Sequence, residues 1–246
     1  MDYFQQRYLE QDRAFVGTSG LDTIDLPNKG LLSCLQLNVR ATAGATCGKR
    51  DIKPIDALER LELIVNGSQV VKSLSGRQVR ALMHYQKMKQ PEAFTSNWAS
   101  QSSRIELFIN LGRHFHDMDY MLDLGQVNDP ELRITYDFTK TGEVGWTNGE
   151  AFTSPYRDTV CHLLRESSVV PEGYIKTSEL YRFTNPVSKK ENMTIPRGPV
   201  YSNLYLQSFY RDSGLAFTLD EIEVNIDNGR VIPLRLAMPE FMDVVA

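Results

Sequence analysis

The sequence predicts a mainly β protein built as two jelly-roll sandwiches in tandem, with one short helix in each roll. Three observations carry that expectation. The chain repeats itself, its apolar residues alternate with polar ones over short runs, and those runs are separated by turn residues and loops of uneven length. The block Leu26-Pro27-Asn28-Lys29-Gly30-Leu31-Leu32-Ser33-Cys34-Leu35-Gln36-Leu37 is answered by Ile195-Pro196-Arg197-Gly198-Pro199-Val200-Tyr201-Ser202-Asn203-Leu204-Tyr205-Leu206 at a constant offset of 169 residues. A second block, from Leu58 to Gly67, is answered from Leu219 to Gly229 at an offset of 161, so the loop between the blocks is eight residues shorter in the second copy. Arg13-Ala14-Phe15-Val16-Gly17 has a counterpart in Tyr181-Arg182-Phe183-Thr184-Asn185.

Taken in order, residues 1–12 are expected to form an N-terminal arm. Its aromatic residues Tyr3, Phe4 and Tyr8, with Phe15 beyond, would pack on a neighbour or a membrane, or else as a strand or helix on the chain's own first roll. Leu35-Gln36-Leu37-Asn38-Val39-Arg40 alternates as a half-buried strand should. Leu61-Glu62-Leu63-Ile64-Val65 does so too, and ends in Asn66-Gly67, two residues that accept the positive φ of a tight turn. Residues 75–88 carry Val79, Leu82, Met83 and Gln86 at helical spacing, which predicts a helix. Residues 104–110 and 131–138 are two more alternating runs. A connector rich in Gly, Thr, Ser and Pro follows, with a helical-looking piece at 157–165.

The second copy supplies Leu204-Tyr205-Leu206, then Ile222-Glu223-Val224-Asn225-Ile226 with Asp227-Asn228-Gly229 as its turn. Residues 239–245 match the helix, with Pro239 near its first turn beside Glu240. The expected domains are therefore an arm at 1–12, a first jelly roll at 13–140, a connector at 141–178 and a second roll at 179–246. About fifty residues follow the helix in the first copy and none in the second. Either the sequence continues beyond Ala246 or another chain completes the second roll, and continuation is the favoured reading.

Composition excludes some classes of function. The 246 residues carry 27 basic and 31 acidic side chains, a net charge of −4, and no Lys/Arg run longer than a pair, so no direct nucleic-acid binding is expected. Cys34, Cys47 and Cys161 form no CxxC spacing and an odd set, which points to reduced thiols. The start lacks the basic and apolar regions of a signal peptide, and no segment approaches the ~18 apolar residues of a spanning helix. Synthesis in a reducing compartment is the matching expectation.

The order of an apolar-Pro block, a long strand, a loop, an alternating strand ending in Asn-Gly and then a helix, given twice, resembles the double jelly-roll major capsid proteins of icosahedral viruses. The likeness is greatest to the corticovirus type within the adenovirus and tectivirus lineage, bacteriophages among them, whose shells enclose a membrane. Ile64-Val65-Asn66-Gly67 and the stretch from Asn185-Pro186 to Ile195-Pro196 carry it, over roughly residues 13–88 and 181–246. The resemblance implies a homotrimer whose two upright rolls per subunit make a pseudo-hexagonal tile of the virion shell. Its implied partners are itself, neighbouring capsomers, and penton and membrane-associated virion proteins.

Chemical candidates are few. His114-Phe115-His116-Asp117-Met118-Asp119 is the most metal-like cluster, since alternating histidines on a strand share a face and Asp117 or Asp119 could join them. A polar loop between Ile109 and Leu124 is the favoured reading, so no metal or cofactor is assigned to His114, His116 and Asp117. Gly44-Ala45-Thr46-Cys47-Gly48-Lys49-Arg50 fails as a phosphate loop, because Ala43 stands where the first Gly belongs and Arg50 replaces the Ser/Thr. Cys161 and His162, if helical, would point about 100° apart, which does not suit a nucleophile–base pair. Gly17-Thr18-Ser19-Gly20 lacks the spacing of a nucleophile elbow. Glu59, Glu62, Asp220, Glu221 and Glu223 lie on the outward face of alternating strands, a solvated or inter-subunit face with structural calcium as the lesser alternative.

No catalytic set emerges, and a structural capsid subunit is the expected function. A tandem-roll binding module, with Trp98, Trp146, Tyr201, Tyr205 and Tyr210 as sugar platforms, is the alternative. A cupin-like enzyme using His114 and His116 is the third.

Overall fold

In the computed structural model, the residues described are 3–42, 54–86, 102–139, 152–165, 168–182, 190–207, 219–226 and 230–237. They divide into two units, Met1–Met193 and Thr194–Ala246.

Eight strands build the first unit: β1 (Tyr3–Ala14), β2 (Ser19–Asp25), β3 (Leu31–Thr42), β4 (Leu58–Val65), β5 (Gln69–Leu74), β6 (Ser102–Asn110), β8 (Glu131–Asp137) and β9 (Thr153–Arg165). A two-residue β7 (Leu122–Asp123) and β10 (Thr177–Ser178) are added at their margins. One sheet runs β1-β9-β3-β6 and the other β10-β5-β4-β8-β2. The antiparallel pairs β1·β9, β2·β8, β3·β6 and β4·β5 are those of one long ribbon folded back on itself from its β4–β5 tip. Two further antiparallel contacts, β9·β3 and β8·β4, roll that ribbon into two facing sheets. That winding is a jelly roll.

Alternation drives it. Leu35, Leu37 and Val39 of β3 face inward beside Ile109, Leu107 and Ile105 of β6, and all six are buried. From the other sheet, Leu61 and Leu63 of β4 sit beside Ile134 and Leu132 of β8, also fully buried. The β4–β5 turn is the expected one: Asn66 and Gly67 both take positive φ, at 52° and 75°.

Among the described residues there is one α-helix, α1 (Gly76–Tyr85), where the chain crosses from β5 to β6. Ser75 caps it through a reciprocal box: its hydroxyl accepts from the Gln78 N–H at 3.3 Å, and Gln78 Oε1 accepts from the Ser75 N–H at 2.8 Å. Val79 and Met83, one turn apart, bury the inner face, as the spacing predicts.

Three expectations change. Residues 1–12 are not an arm but most of β1, paired to β9 from Tyr3 opposite Arg165 to Ala14 opposite Tyr156. The helical-looking piece at 157–165 is strand, and β9 lies between β1 and β3 as an interior strand of its sheet. The first roll therefore does not stop at residue 140, and the 141–178 segment is not merely a connector. Residues 168–182 continue as a strap on the same unit. Within it, Ile175 N–H donates to Leu111 O at 2.8 Å, Glu179 N–H to Ser73 O at 3.3 Å, and β10 adds a parallel edge to β5.

The second unit contains, among its described residues, the hairpin β11 (Glu221–Ile226) and β12 (Val231–Ala237). Its boundary falls at Thr194 rather than 179. Residues 204–206, expected as a strand, are irregular and partly exposed. The helix expected at 239–245 lies outside the described residues.

That hairpin reproduces β4–β5 in detail. Leu61 pairs with Leu74, Glu62 with Ser73 and Leu63 with Lys72, after which the register shifts at Leu63/Ile64. The counterparts Ile222, Glu223 and Val224 pair with Leu236, Arg235 and Leu234, and the register shifts immediately after Val224. The repeat seen in the letters is thus also a repeat of partners and of bulge position.

Candidate functional site

The metal-like cluster does not assemble as one. Asp117, 1% exposed, is held by Arg113. The Arg113 guanidinium donates to Asp117 Oδ2 at 2.8 Å and Oδ1 at 3.0 Å, and the backbone N–H groups of Arg113 and Asp119 donate at 2.9 and 3.1 Å. Arg113 also pairs with Asp119 and lies 4.9 Å from the Tyr120 ring centre. These donors favour the charged carboxylate, and Arg113 is the largest cause holding its pKa well below the usual range. Gly112 makes the arrangement possible: a Cβ there would stand 2.5 Å from Asp117 Cβ and 2.8 Å from Tyr120 O. His114 is exposed, its Nδ1 3.1 Å from Phe115 O. Among the described residues no group of three or more His, Cys, Asp or Glu is placed to hold a metal ion.

Replacing Asp117 by Asn should cost about 1–3 kcal/mol, since an amide set against a guanidinium leaves donors unmatched. The loss should be full at pH 7 and begin to shrink only below the ordinary carboxylate range, because a carboxylate with a depressed pKa keeps its stabilising charge until pH falls through the folded value. Urea titrations of both proteins at pH 7 and pH 3 would check this.

His116 is brought instead to His162, a partner 46 residues away that the sequence did not suggest. His116 Nε2 lies 3.4 Å from His162 Nδ1, and His162 Nε2 lies 3.1 Å from Gln36 Oε1. Phe4 of β1 stacks on His116 at 3.8 Å and 7°, Phe115 stacks at 3.7 Å, and Phe115 and Phe108 border His162. Cys161 points to the opposite side of the strand from His162 and is a buried free thiol, as is Cys34. Burial pushes the Cys161 thiol up to about 12, the reverse of an activated nucleophile.

A second cluster was also missed, because β9 was read as a helix. Arg157, 3% exposed, donates to Glu10 Oε2 at 2.7 Å, pairs with Asp22 and lies 4.8 Å from the Phe15 ring centre. It ties β1, β2 and β9 together at one rim of the roll. Lys72 is buried as well, donating to Thr177 Oγ1 at 2.9 Å, and burial lowers its pKa to about 7.

The outward carboxylates are paired with arginine and hydroxyl groups. Glu62 accepts from Ser73 Oγ at 3.1 Å with Arg60 3.7 Å away, and Arg235 bridges Glu221 at 2.5 Å and Glu223 at 3.7 Å. Glu59 is half-buried and Asp220 exposed. Gly17 and Thr18 lie in the bend before β2, and Ser19 and Gly20 are its first two residues. Tyr201 and Tyr205 are exposed, while residues 44–50, Trp98, Trp146 and Tyr210 lie outside the described residues. No described helix is long and apolar enough to cross a membrane.

No family model matches the chain, and no curated protein does. Solved structures do. PBCV-1 VP54, fitted into a cryo-EM reconstruction of the virophage Sputnik, matches with a TM-score of 0.50 and 11% identity over 68% of this chain and 43% of its own. The atomic structure of Sulfolobus Turreted Icosahedral Virus gives 0.48 and 14% over 65% and 45%. The crystal structure of the STIV MCP gives 0.45 and 14% over 67% and 48%. The chain thus spans less than half the length of each. At such identities the likeness is one of fold: this chain is a mainly β jelly roll, similar in fold to viral major capsid proteins.

Proposed function

We propose that the chain is a structural subunit of a viral shell, a double jelly-roll capsid protein that works by shape and self-association rather than by catalysis. The observation that carries this reading is the recurrence of the β4–β5 hairpin as β11–β12, with the same partners and the same bulge. One roll wound from a single ribbon, followed by the tip hairpin of a second, is what a tandem duplication of that roll contains. The fold likeness to viral major capsid proteins supports the same reading and a place in the virion. Duplicated rolls let three subunits present six similar faces, so the subunit is a homotrimer giving a pseudo-hexagonal tile, with penton and membrane-associated proteins as its further partners in an icosahedral shell over a membrane.

Size-exclusion chromatography with light scattering tests the assembly. A mass three times that of the chain is the expected result. A stable monomer at micromolar concentration overturns it.

A further inference from the structure

The His116–His162 pair sits where the two ends of the ribbon meet. Gln36 fixes its protonation pattern: Gln36 Nε2 donates to Asn38 Oδ1 at 3.1 Å, which turns Gln36 Oε1 toward His162 as an acceptor. His162 Nε2 then carries a hydrogen, and its Nδ1 is left as a lone pair that accepts from His116 Nε2–H. His116 itself holds a left-handed backbone, φ 59°, between the rings of Phe4 and Phe115. A non-glycine residue stays in that region only when its surroundings hold it there. Four pieces of chain meet at this contact: the start of β1 through Phe4, the 111–119 loop through Phe115 and His116, β9 through His162 and β3 through Gln36.

We propose that the His116–His162 pair is an acid-sensitive latch that holds the N-terminal half of β1 and the 111–119 loop on the sheet and lets go of them when His162 is protonated. A proton on His162 Nδ1 puts two N–H donors face to face and removes the acceptor that His116 Nε2 meets there. Burial, then the neighbouring His116, holds His162 down at about 4, and burial alone lowers His116. Ionisable groups on the packed elements do not offset this. On β1 the pair meets Phe4, with Tyr8 farther along and Arg7 on the other side. On β3 it meets Gln36, and on β6 Phe108, with Glu106 beyond it already paired to Arg104. On the loop, Asp117 and Asp119 are taken by Arg113, and along β9 stand Asp158 and Arg165.

The sign follows. A histidine whose pKa is lower latched than free favours the latched form at neutral pH, and that preference is lost as pH falls from about 6.5 toward 4. The register shift between Tyr8 and Glu10 divides β1, and beyond it Glu10 on Arg157 holds the C-terminal half by a separate contact. The release therefore stops at the bulge.

Hydrogen exchange of the full chain at pH 7.0 and 4.5, corrected for intrinsic rates, tests the latch. Peptides covering residues 3–8 and 111–119 should lose protection about 50-fold at the lower pH, the change expected when a free histidine of ordinary pKa regains its proton. H162Q should reduce that pH response to less than threefold. Equal protection at the two pH values overturns the proposal, and so does an unchanged response in H162Q, which would assign the loosening to carboxylates. Should H162Q fail to fold, the imidazole titration of the unmutated protein by NMR still decides. His162 titrating about two pH units below an ordinary histidine supports the latch, and an ordinary midpoint overturns it.

Discussion

Arg157→Ala should lower the stability of the first unit by about 3–5 kcal/mol, the loss usual when one partner of a buried ion pair is removed. The side chain is 4% exposed, and it is the shared partner of two carboxylates from two other strands, Glu10 of β1 and Asp22 of β2. Without it both acids lose their shared cation, and Phe15 loses the guanidinium over its ring. Arg157→Lys should recover only part of the loss, because an ammonium cannot reproduce the fork that reaches Glu10 with two nitrogens. Arg157→Met separates charge from shape. It should fall close to the alanine variant if the charge carries the effect, and well above it if packing against Phe15 does. Urea denaturation monitored by circular dichroism would measure all three, and a loss below 1 kcal/mol for Arg157→Ala would show the cluster to be dispensable.

The second large effect is expected at Leu63. It is fully buried, paired across the sheet with Leu132 and Lys72. Leu63→Ala removes three carbons, two of them methyl groups, from a site whose neighbours belong to rigid strands, so the cavity stays open and about 2–5 kcal/mol is lost. Its counterpart in the repeat is Val224, which is half-buried. Val224→Ala should cost less, about 1 kcal/mol or below, since the penalty follows the burial removed. The same pair of denaturation experiments reads both. Equal losses would mean that the two hairpins are packed alike.

How far the sequence reached can be judged strand by strand. Strand β4 was legible because Leu61 and Leu63 alternate with Glu62 and Asn66-Gly67 names its turn, and α1 because Val79 and Met83 stand one turn apart. The returning β5 was not read, since Val71, Lys72, Ser73 and Leu74 are all buried and show no alternation. Strand β9 was not, for a physical reason. Its run Val160-Cys161-His162-Leu163-Leu164 is buried on both sides, so alternation disappears and a strand looks like a buried helix. Strand β1 failed in the opposite way: at the exposed edge, Gln5-Gln6-Arg7 and Glu10-Gln11-Asp12 present polar residues on both faces. The sites inherit these errors. His116 was noticed for the wrong companions, since His114 and Asp117 are near in sequence while His162 is near only once β9 is a strand. Arg157 could have been suspected as a charged residue preceding an apolar run, but only the β1–β9 register explains its partners.

The ribbon winding also bears on how the protein is made. β1 pairs with β9, which lies about 150 residues later in the chain, so its backbone groups wait until Arg165 has been translated. At the usual ~5–20 residues per second that interval is on the order of ten seconds, long compared with collapse or hairpin formation. The β4–β5 tip closes early and locally, whereas the β1–β9 seam closes last over a long loop, which makes the domain a slow folder. During that wait the edge of β3 that β9 will cover lies open to other chains. The polar character of β1, which hid it in the sequence, suits a segment that must remain unpaired in a crowded compartment until its partner arrives.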